Sequence, residues 1–416
     1  DYYNKIINKI NEKVDEKIIF NNNEYEELKK NIYESIKEYI FINIEEIIYY
    51  DFQDNLLNSI KELYLIQLQN YYNIDKIILE YKIEQIIKKC LKEIYKVVIP
   101  PRSYIVSYIR NIYIDKTKIR EKINIIQNIP QPEQRSDEWY KFRHNLITAS
   151  SVWKMLKSDS TINQIIYEKC EPYKIPTMND QSSPLHWGQK YEPISVMLYE
   201  YLYDTKIGDF GCIKHPKYNF IGASPDGINI DENNSRYGRM LEIKNIVNRV
   251  IDGIPKMEYW IQMQIQMETC DLNECDFLET QFKEYNNYNE FIEDGTFYLN
   301  KDNKLKGIII AFIKDGRIIY EYAPIYLNED DFNKWEKEIL DKNNDKEWLQ
   351  NIYWYLEKYS NILVLRNKLW FNRIVNKIDK IWKIIEKERI EGYSHRSAKK
   401  REKKSDIINN KCLVII

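Results

Sequence analysis

Several things that this chain of 416 residues lacks set its first bounds. No uncharged apolar run approaches the roughly 20 residues that a membrane-spanning helix needs. With 44% hydrophobic and 30% charged residues, the chain therefore reads as a soluble globular protein. No Cys-x-x-Cys pair occurs among the six cysteines (90, 170, 212, 270, 275 and 412), and there are four histidines in all. A zinc or iron–sulfur site is not expected from that set. The spacing gives no disulfide framework either, so free buried thiols in a reducing, intracellular compartment are expected, and Cys412 is misplaced for a prenylation box. Glycine is scarce, 11 residues, while Ile, Asn, Lys and Tyr abound, with 35 Tyr. That is the codon signature of an A/T-rich genome, not of a function. The chain starts at Asp1 with no charged-then-apolar leader. It reads as a piece of a longer protein, and nothing at this start addresses it for secretion.

A length of 416 residues exceeds one ordinary hydrophobic core, so two or three units are expected. The net charge of −2 decides nothing about nucleic acid, because gripping it needs one basic face and not a basic total. Residues 1–126 are read as a helical N-terminal region, since Ile83, Ile86, Ile87, Cys90, Leu91 and Ile94 recur at helical spacing between Lys and Glu. Pro130 and Pro132 mark a linker. Residues 127–328 form a mixed α/β unit that holds nearly all the glycines. Helices are expected over 137–144, 150–156, 187–203 and 256–269, a hairpin over 211–230, and strands over 240–246, 273–282, 307–314 and 317–327. Residues 329–416 return to a helical pattern and end in the basic run Lys399, Lys400, Arg401, Lys403, Lys404, which suits a DNA-gripping arm, a nuclear signal or a solubilising tail. No internal repeat is visible.

The chemistry is concentrated in Ser224-Pro225-Asp226-Gly227 and, beyond it, Glu242-Ile243-Lys244 in an apolar strand. Each half alone has a bland reading: Pro-Asp-Gly as a hairpin corner, Glu-x-Lys as a solvated strand face. Together they define a geometry. Side chains at i and i+2 of a strand share a face, so Glu242 and Lys244 project side by side while Ile243 packs behind, and Asp226 at the end of a neighbouring strand completes the cluster. Two carboxylates and the Ile243 carbonyl are hard oxygen ligands suited to Mg²⁺, with Mn²⁺ as a substitute. The lysine beside them is placed to orient a water and favour its hydroxide form.

These residues resemble the lambda-phage-exonuclease-like, or YqaJ-type, viral recombinase nucleases of the PD-(D/E)xK superfamily. The likeness spans about 134–282 and rests on four ordered motifs: Glu138-Trp139-Tyr140-Lys141-Phe142-Arg143 leading into Ile147-Thr148-Ala149-Ser150; Gly188-Gln189-Lys190-Tyr191-Glu192; the Ser-Pro-Asp and Glu-Ile-Lys pair; and Tyr259, Gln262, Gln264 and Met267 on the following helix. The resemblance implies an α/β fold, a PD-(D/E)xK nuclease core with a central mixed sheet flanked by helices, carrying helical extensions at both ends. It implies a Mg²⁺-dependent exonuclease of linear duplex DNA, 5′ to 3′, serving recombination, repair or processing in a large DNA virus, within the host cytoplasm or viral factory. Glu192 becomes an additional metal ligand beside Asp226, Glu242 and the Ile243 carbonyl, and Gln262 and Gln264 active-site glutamines. Arg143, Ser150 and Ser224 become a pocket for the 5′-phosphate, with backbone N–H groups at a helix start near Ser150 reinforcing it. Self-association and a recombinase or helicase partner are further implications.

The chain departs from the family at two places. Asn145 stands where glycine is frequent, and asparagine is the next-best residue for a left-handed backbone. Residues 212–220 carry no acid where the phage enzyme has one, which leaves one or two metals open. An endonuclease or RecB-like defence nuclease of the same superfamily, or a catalytically silent DNA-binding or virion protein, is the alternative reading.

Overall fold

The computed structural model describes residues 20–72, 75–110, 114–133, 136–173 and 183–397. The basic run 399–404 and Cys412 lie outside them. The described residues before the α/β part hold four helices: α1 (Asn22–Ile42), α2 (Phe52–Gln69), α3 (Lys76–Val97) and α4 (Lys116–Gln127). A reciprocal capping box starts α1, the Asn21 amide oxygen taking the Glu24 N–H while the Glu24 carboxylate takes the Asn21 N–H. Leu28, Ile32, Ile36 and Ile40 of α1, Phe52, Leu56 and Ile60 of α2, and Ile83, Ile87, Cys90 and Ile94 of α3 form one buried seam. This seam is continuous with the rest of the core, because Ile44, Ile47 and Ile48 in the turn after α1 pack onto the domain that follows. Arg102 fastens the junction by donating to the Ile48 and Pro255 carbonyls at 3.0 and 2.6 Å, while its own carbonyl accepts the Trp260 indole N–H at 2.6 Å.

The α/β part runs α5 (Asp137–His144), β1 (Ile147–Thr148), α6 (Ala149–Val152), α7 (Asp159–Cys170), α8 (Pro184–Tyr203), β2 (Ile207–Gly208), β3 (Ile213–Lys214), β4 (Ile221–Ala223), β5 (Gly227–Asn229), β6 (Met240–Asn245), α9 (Met257–Cys270), β7 (Glu274–Glu284), α10 (Tyr288–Glu293), β8 (Lys306–Lys314), β9 (Arg317–Tyr322), α11 (Glu329–Lys342), β10 (Glu347–Leu365) and α12 (Lys368–Glu391). The main sheet has the order β2-β5-β6-β7-β10-β8-β9, and a small sheet the order β1-β4-β3. β6 and β7 are parallel, with α9 as their crossover, and β1 is parallel to β4; the other pairs are antiparallel. This is the α/β class, a mixed sheet flanked by helices.

Two expectations change. The stretch 211–230 is a hairpin only through β3 and β4, since β5 leaves that small sheet for the main one. The segment after Leu327 is not purely helical. Its centre is the 19-residue β10, lying between β7 and β8 in the main sheet, so the core extends well past residue 328. β10 is rich in Tyr, Trp, Ile and Val, which favour strands, and burial of Ile352, Trp354 and Leu356 at every second position is the strand period.

β10 exceeds its neighbours in length, and its second half needs a partner on the side opposite β7. The chain between α3 and α4 supplies one, with Tyr104 and Ser107 N–H groups donating to Leu363 and Asn361 carbonyls at 2.9 Å each. The same stretch is held by a buried charge cluster. Asp276 is fully buried on β7, where Arg236, Arg239, Ser107 and Tyr199 all donate to its carboxylate, Ser107 at 2.6 Å and Tyr199 at 2.7 Å. Replacing one member of a buried, hydrogen-bonded pair strands the other, at a cost of about 3–5 kcal/mol. Asp276→Ala is expected to lose stability on that scale in urea titration. A midpoint equal to the parent's would show that the cluster does not anchor this junction.

Candidate active site

The site is built where two strands part. β5 pairs with β6 only at Gly227↔Leu241 and Ile228↔Met240, so β6 has an open edge from Glu242 onward. Asp226, the residue before β5, fills that opening, and its carboxylate accepts the Ile243 N–H at 2.6 Å. The N–H and C=O of a strand residue point to the same side, so the Ile243 carbonyl is turned toward the same edge. Gly227 is needed for close approach and not for a special turn angle: a Cβ there would lie 2.1 Å from Ile207 Cγ2.

On β6, Glu242 and Lys244 share the face toward α9, and Ile243 packs with Leu241, Leu278 and Tyr199 on the other. Glu242 is fully buried and pairs with the Lys244 ammonium. Its second oxygen accepts from the Gln266 amide at 2.7 Å, and the same nitrogen lies 3.2 Å from the Ser224 carbonyl. Two acceptors on that nitrogen fix the orientation of the amide, and Gln266 Oε1 is left buried without a hydrogen-bond partner. Tyr259, in the first turn of α9, lies with its ring 5.1 Å from Lys244 Nζ and 5.7 Å from the Arg249 guanidinium. Arg249 in turn pairs with Glu279, the residue beside Lys244 on β7.

Charge is crowded here. Burial, then the nearby Glu242 charge, push the Asp226 carboxyl well above the usual range, with Glu192 adding to the rise and Lys244 and the Ile243 N–H opposing it. Burial works against the Lys244 ammonium, but Glu242 and Asp226 outweigh it and hold the group above its ordinary value. Glu192 thus reaches the cluster from α8. Its helix is fixed to the sheet through Asn245, whose amide donates to the Gly188 carbonyl at 2.7 Å and accepts from Ser195 and Thr280 hydroxyls at 2.7 and 2.6 Å.

The two glutamines read from the sequence fare differently. Gln264 is turned away from the carboxylates and fully buried, donating to the Leu365 carbonyl at 2.8 Å and accepting the Asn367 N–H at 2.7 Å. It ties α9 to the start of α12. The glutamine that contacts Glu242 is Gln266, two residues on and roughly 200° around the helix, and Gln262 shares its face one turn earlier. Gln266, Asn245, Arg249 and Glu279 were not singled out from sequence. For Gln266 the helical step from Gln262 was the available signal.

Arg143 donates to the Ser224 hydroxyl at 2.8 Å and stacks on Trp139 at 4.4 Å. β1 and β4 pair in parallel at Ile147↔Ile221 and Thr148↔Gly222, and the chain leaves the small sheet after them toward Ser150 and Ser224. Ser150 is exposed, with its hydroxyl 3.2 Å from that of Thr148. The helix it lies in, α6, has four residues, too few to supply the anion-binding N–H array expected of it. Asn145 is not left-handed: it closes α5 with φ −86° and its amide donates to the Lys141 carbonyl at 3.2 Å, an ordinary helix end that needs no glycine.

Among the described residues, no three His, Cys, Asp or Glu side chains are already gathered to hold a metal ion, since Glu242 is turned to Lys244 and Gln266, and Asp226 to the Ile243 N–H. Five cysteines among these residues are free and buried.

Residues 138–273 match the YqaJ-like viral recombinase domain. The chain is also similar to an uncharacterized protein of Acanthamoeba polyphaga mimivirus, 28% identical over 315 residues, covering 66% of this chain and 57% of that protein. The chain thus spans little more than half the length of that relative. Among solved structures, an alkaline exonuclease from Laribacter hongkongensis is similar at 18% identity and a TM-score of 0.37, covering 61% of this chain and 94% of that one. A phage-related exonuclease from Haemophilus somnus is similar at 14% identity and a TM-score of 0.32, covering 60% and 96%.

The two glutamines separate by stability. Gln264→Ala leaves the Leu365 carbonyl and the Asn367 N–H without partners inside the core, at about 1–3 kcal/mol for each. Gln262→Ala, at a partly exposed position one turn before Gln266, should stay within about 0.5 kcal/mol of the parent. Thermal melts of the two variants measure this, and the reverse order would show that the faces of α9 are misassigned.

Proposed function

We propose that this chain is a metal-dependent DNA exonuclease acting on linear duplex DNA. The single observation that carries the reading is the open edge of β6, where Asp226, Glu242, the Ile243 carbonyl and Lys244 meet with Gln266 behind them. The match to the YqaJ-like domain supports it.

The donor set fits a divalent metal. Asp226, Glu242 and Glu192 offer carboxylate oxygens and Ile243 a carbonyl, all hard ligands of the kind Mg²⁺ takes, and the unpartnered Gln266 Oε1 suits a water of such an ion. When bound, Mg²⁺ or Mn²⁺ would polarise the scissile phosphate and lower the pKa of a water beside it. The protein's own residues do the rest. Glu242 and Asp226 favour the ammonium form of Lys244 against its burial, and in that form it donates hydrogen bonds to the attacking water or to a phosphate oxygen. Gln266 holds Glu242 in place. Tyr259 limits where the lysine can swing.

Cleavage should need Mg²⁺ or Mn²⁺ and stop in excess EDTA, with Ca²⁺ binding but not supporting turnover. Lys244→Ala should lower kcat by about 10²–10⁴-fold with folding intact, and Gln266→Ala by about 10–100-fold. Activity undiminished in EDTA, or a folded Lys244→Ala protein cutting at the parental rate, would remove this mechanism.

The end preference is proposed on Arg143 and Ser224, with Ser150 beside them. A guanidinium pairs with phosphate oxygens in a fork and hydroxyls donate to those that remain. Linear duplexes with 5′-phosphorylated ends should be degraded faster than 5′-hydroxyl ones, covalently closed circles should be spared, and Arg143→Ala should erase the preference. Rapid cutting of closed circles would point to an endonuclease instead.

A further inference from the structure

A concentration of positive charge beside Arg143 is not used by the chemistry above. Lys169, in the last turn of α7, donates to the Arg143 and His144 carbonyls at 3.0 and 3.4 Å, the two that end α5. Arg389, near the end of α12, donates to the Lys169 carbonyl at 2.9 Å, to the His144 carbonyl at 3.2 Å and to the Asn145 amide oxygen at 3.2 Å. Three cations from three helices therefore converge on neutral oxygens. The nearest acid on α7, Glu168, is drawn off by Lys154 at 3.0 Å and Gln164 at 2.8 Å. Lys169 and Arg143 repel each other across this short distance, and an arriving anion relieves that repulsion.

A cavity of about 290 Å³ opens at this point, lined by Arg143, His144, Lys169 and Tyr173 and also by the carboxylates of Glu168 and Glu171. An ammonium has three N–H donors, and the two carbonyls take two of those on Lys169. The Tyr173 hydroxyl is buried without a partner in the same wall. Thr148 links the cavity to Ser150.

We propose that Lys169 is a phosphate-binding residue of this cavity, gripping the 5′-phosphate of a DNA end together with Arg143, and that Arg389 is the positioning residue that holds α5 and α7 together around it. The inference rests on the end-recognition reading above and extends it to a residue of α7 and to the C-terminal helix, which lies outside the matched domain.

The site is pH-sensitive in a defined direction. Burial, then Arg143 and Arg389, bring Lys169 down to about 8, with Glu168 and the Cys212 thiol acting the other way. His144 is lowered by burial and by the Lys169 and Arg389 charges, with a hydrogen bond to the Glu171 backbone acting the other way. Burial raises the Tyr173 hydroxyl, as do Asp137, Tyr140 and Glu138 near it. A terminal phosphate is fully ionised above about pH 7, its second pKa being about 6. Of the groups facing the cavity, Lys169 is the one placed to change charge near pH 8, from cation below to neutral above. A phosphate that prefers the cation loses affinity above that pH, by at most about tenfold per unit.

The test is equilibrium binding of the full chain, in EDTA so that nothing is cut, to short duplexes with 5′-phosphate or 5′-hydroxyl ends at pH 7, 8 and 9, followed by fluorescence anisotropy. The wild type should prefer phosphorylated ends at pH 7 and lose most of that preference by pH 9. Lys169→Gln keeps a donor for the α5 carbonyls without the charge, and should show a weakened preference that no longer varies with pH. Lys169→Arg should retain the preference at pH 9. If Lys169→Gln, folded by circular dichroism, keeps the wild-type preference and its pH dependence while Arg143→Ala abolishes it, end recognition stands and the role of Lys169 is overturned. If the wild type shows no preference at pH 7, both readings fall together.

Discussion

Asp226 stands in for a strand. Beyond Leu241, β6 has lost β5 on one side, and an unpaired strand edge inside a protein leaves N–H and C=O groups in need of partners. The Asp226 carboxylate takes the Ile243 N–H, which spares the main chain one orphan and anchors a negative charge at the mouth of the opening. The rest of the site is arranged around that substitution. Glu242 and Lys244 emerge on the face beside it, the Ile243 carbonyl is turned to the same opening, and the glycine after Asp226 lets β2 come close enough to hold β5 in position. A strand pairing that ran its full length would have consumed these groups.

Elements far apart in sequence keep this edge in place. α9 crosses from β6 to β7 and brings Gln266 to the buried oxygen of Glu242, while its Gln264 is spent on the start of α12. α8 is clamped to the opposite face through Asn245, Ser195 and Thr280, which sets the height of Glu192 over the sheet. The N-terminal helices share the same apolar core, and the chain that follows them borders β10. The matched domain, 138–273, therefore lacks the strand and helix that complete its own sheet and flank.

Much of this was legible in the residues. The helices over 137–144, 187–203 and 256–269 and the strands around 240–246 and 273–282 follow from apolar spacing that agrees with local propensity, and the face shared by Glu242 and Lys244 follows from the strand period alone. What was not legible depended on partners distant in sequence. β10 is the exception, since its Tyr, Trp, Ile and Val and its alternating burial are a local strand signal that the helical reading of 329–416 passed over; its place between β7 and β8 is set by pairing. Gln264 and Gln266 are equally polar and close in sequence, and only the direction from which β6 approaches α9 says which one meets Glu242. Arg389 lies more than two hundred residues from Arg143, and no local pattern couples them.

Charge balance separates the Asp276 cluster from the carboxylates at the edge of β6. Asp276 is surrounded by Arg236 and Arg239, with Ser107 and Tyr199 completing its hydrogen bonds, so its negative charge is matched within the protein and nothing further is needed there. Asp226 and Glu242 share the single ammonium of Lys244, with the Glu192 charge added, and the outcome is an Asp226 carboxyl pushed far above its ordinary range by burial and by its neighbours. Buried charge that the protein does not balance costs stability, and it persists where something from outside the chain completes the balance. The same logic runs with opposite sign around Arg143, Lys169 and Arg389, where cations face neutral oxygens. The edge of β6 is short of positive charge, while cations gather at the end of α5, which Arg143 joins to Ser224 at 2.8 Å.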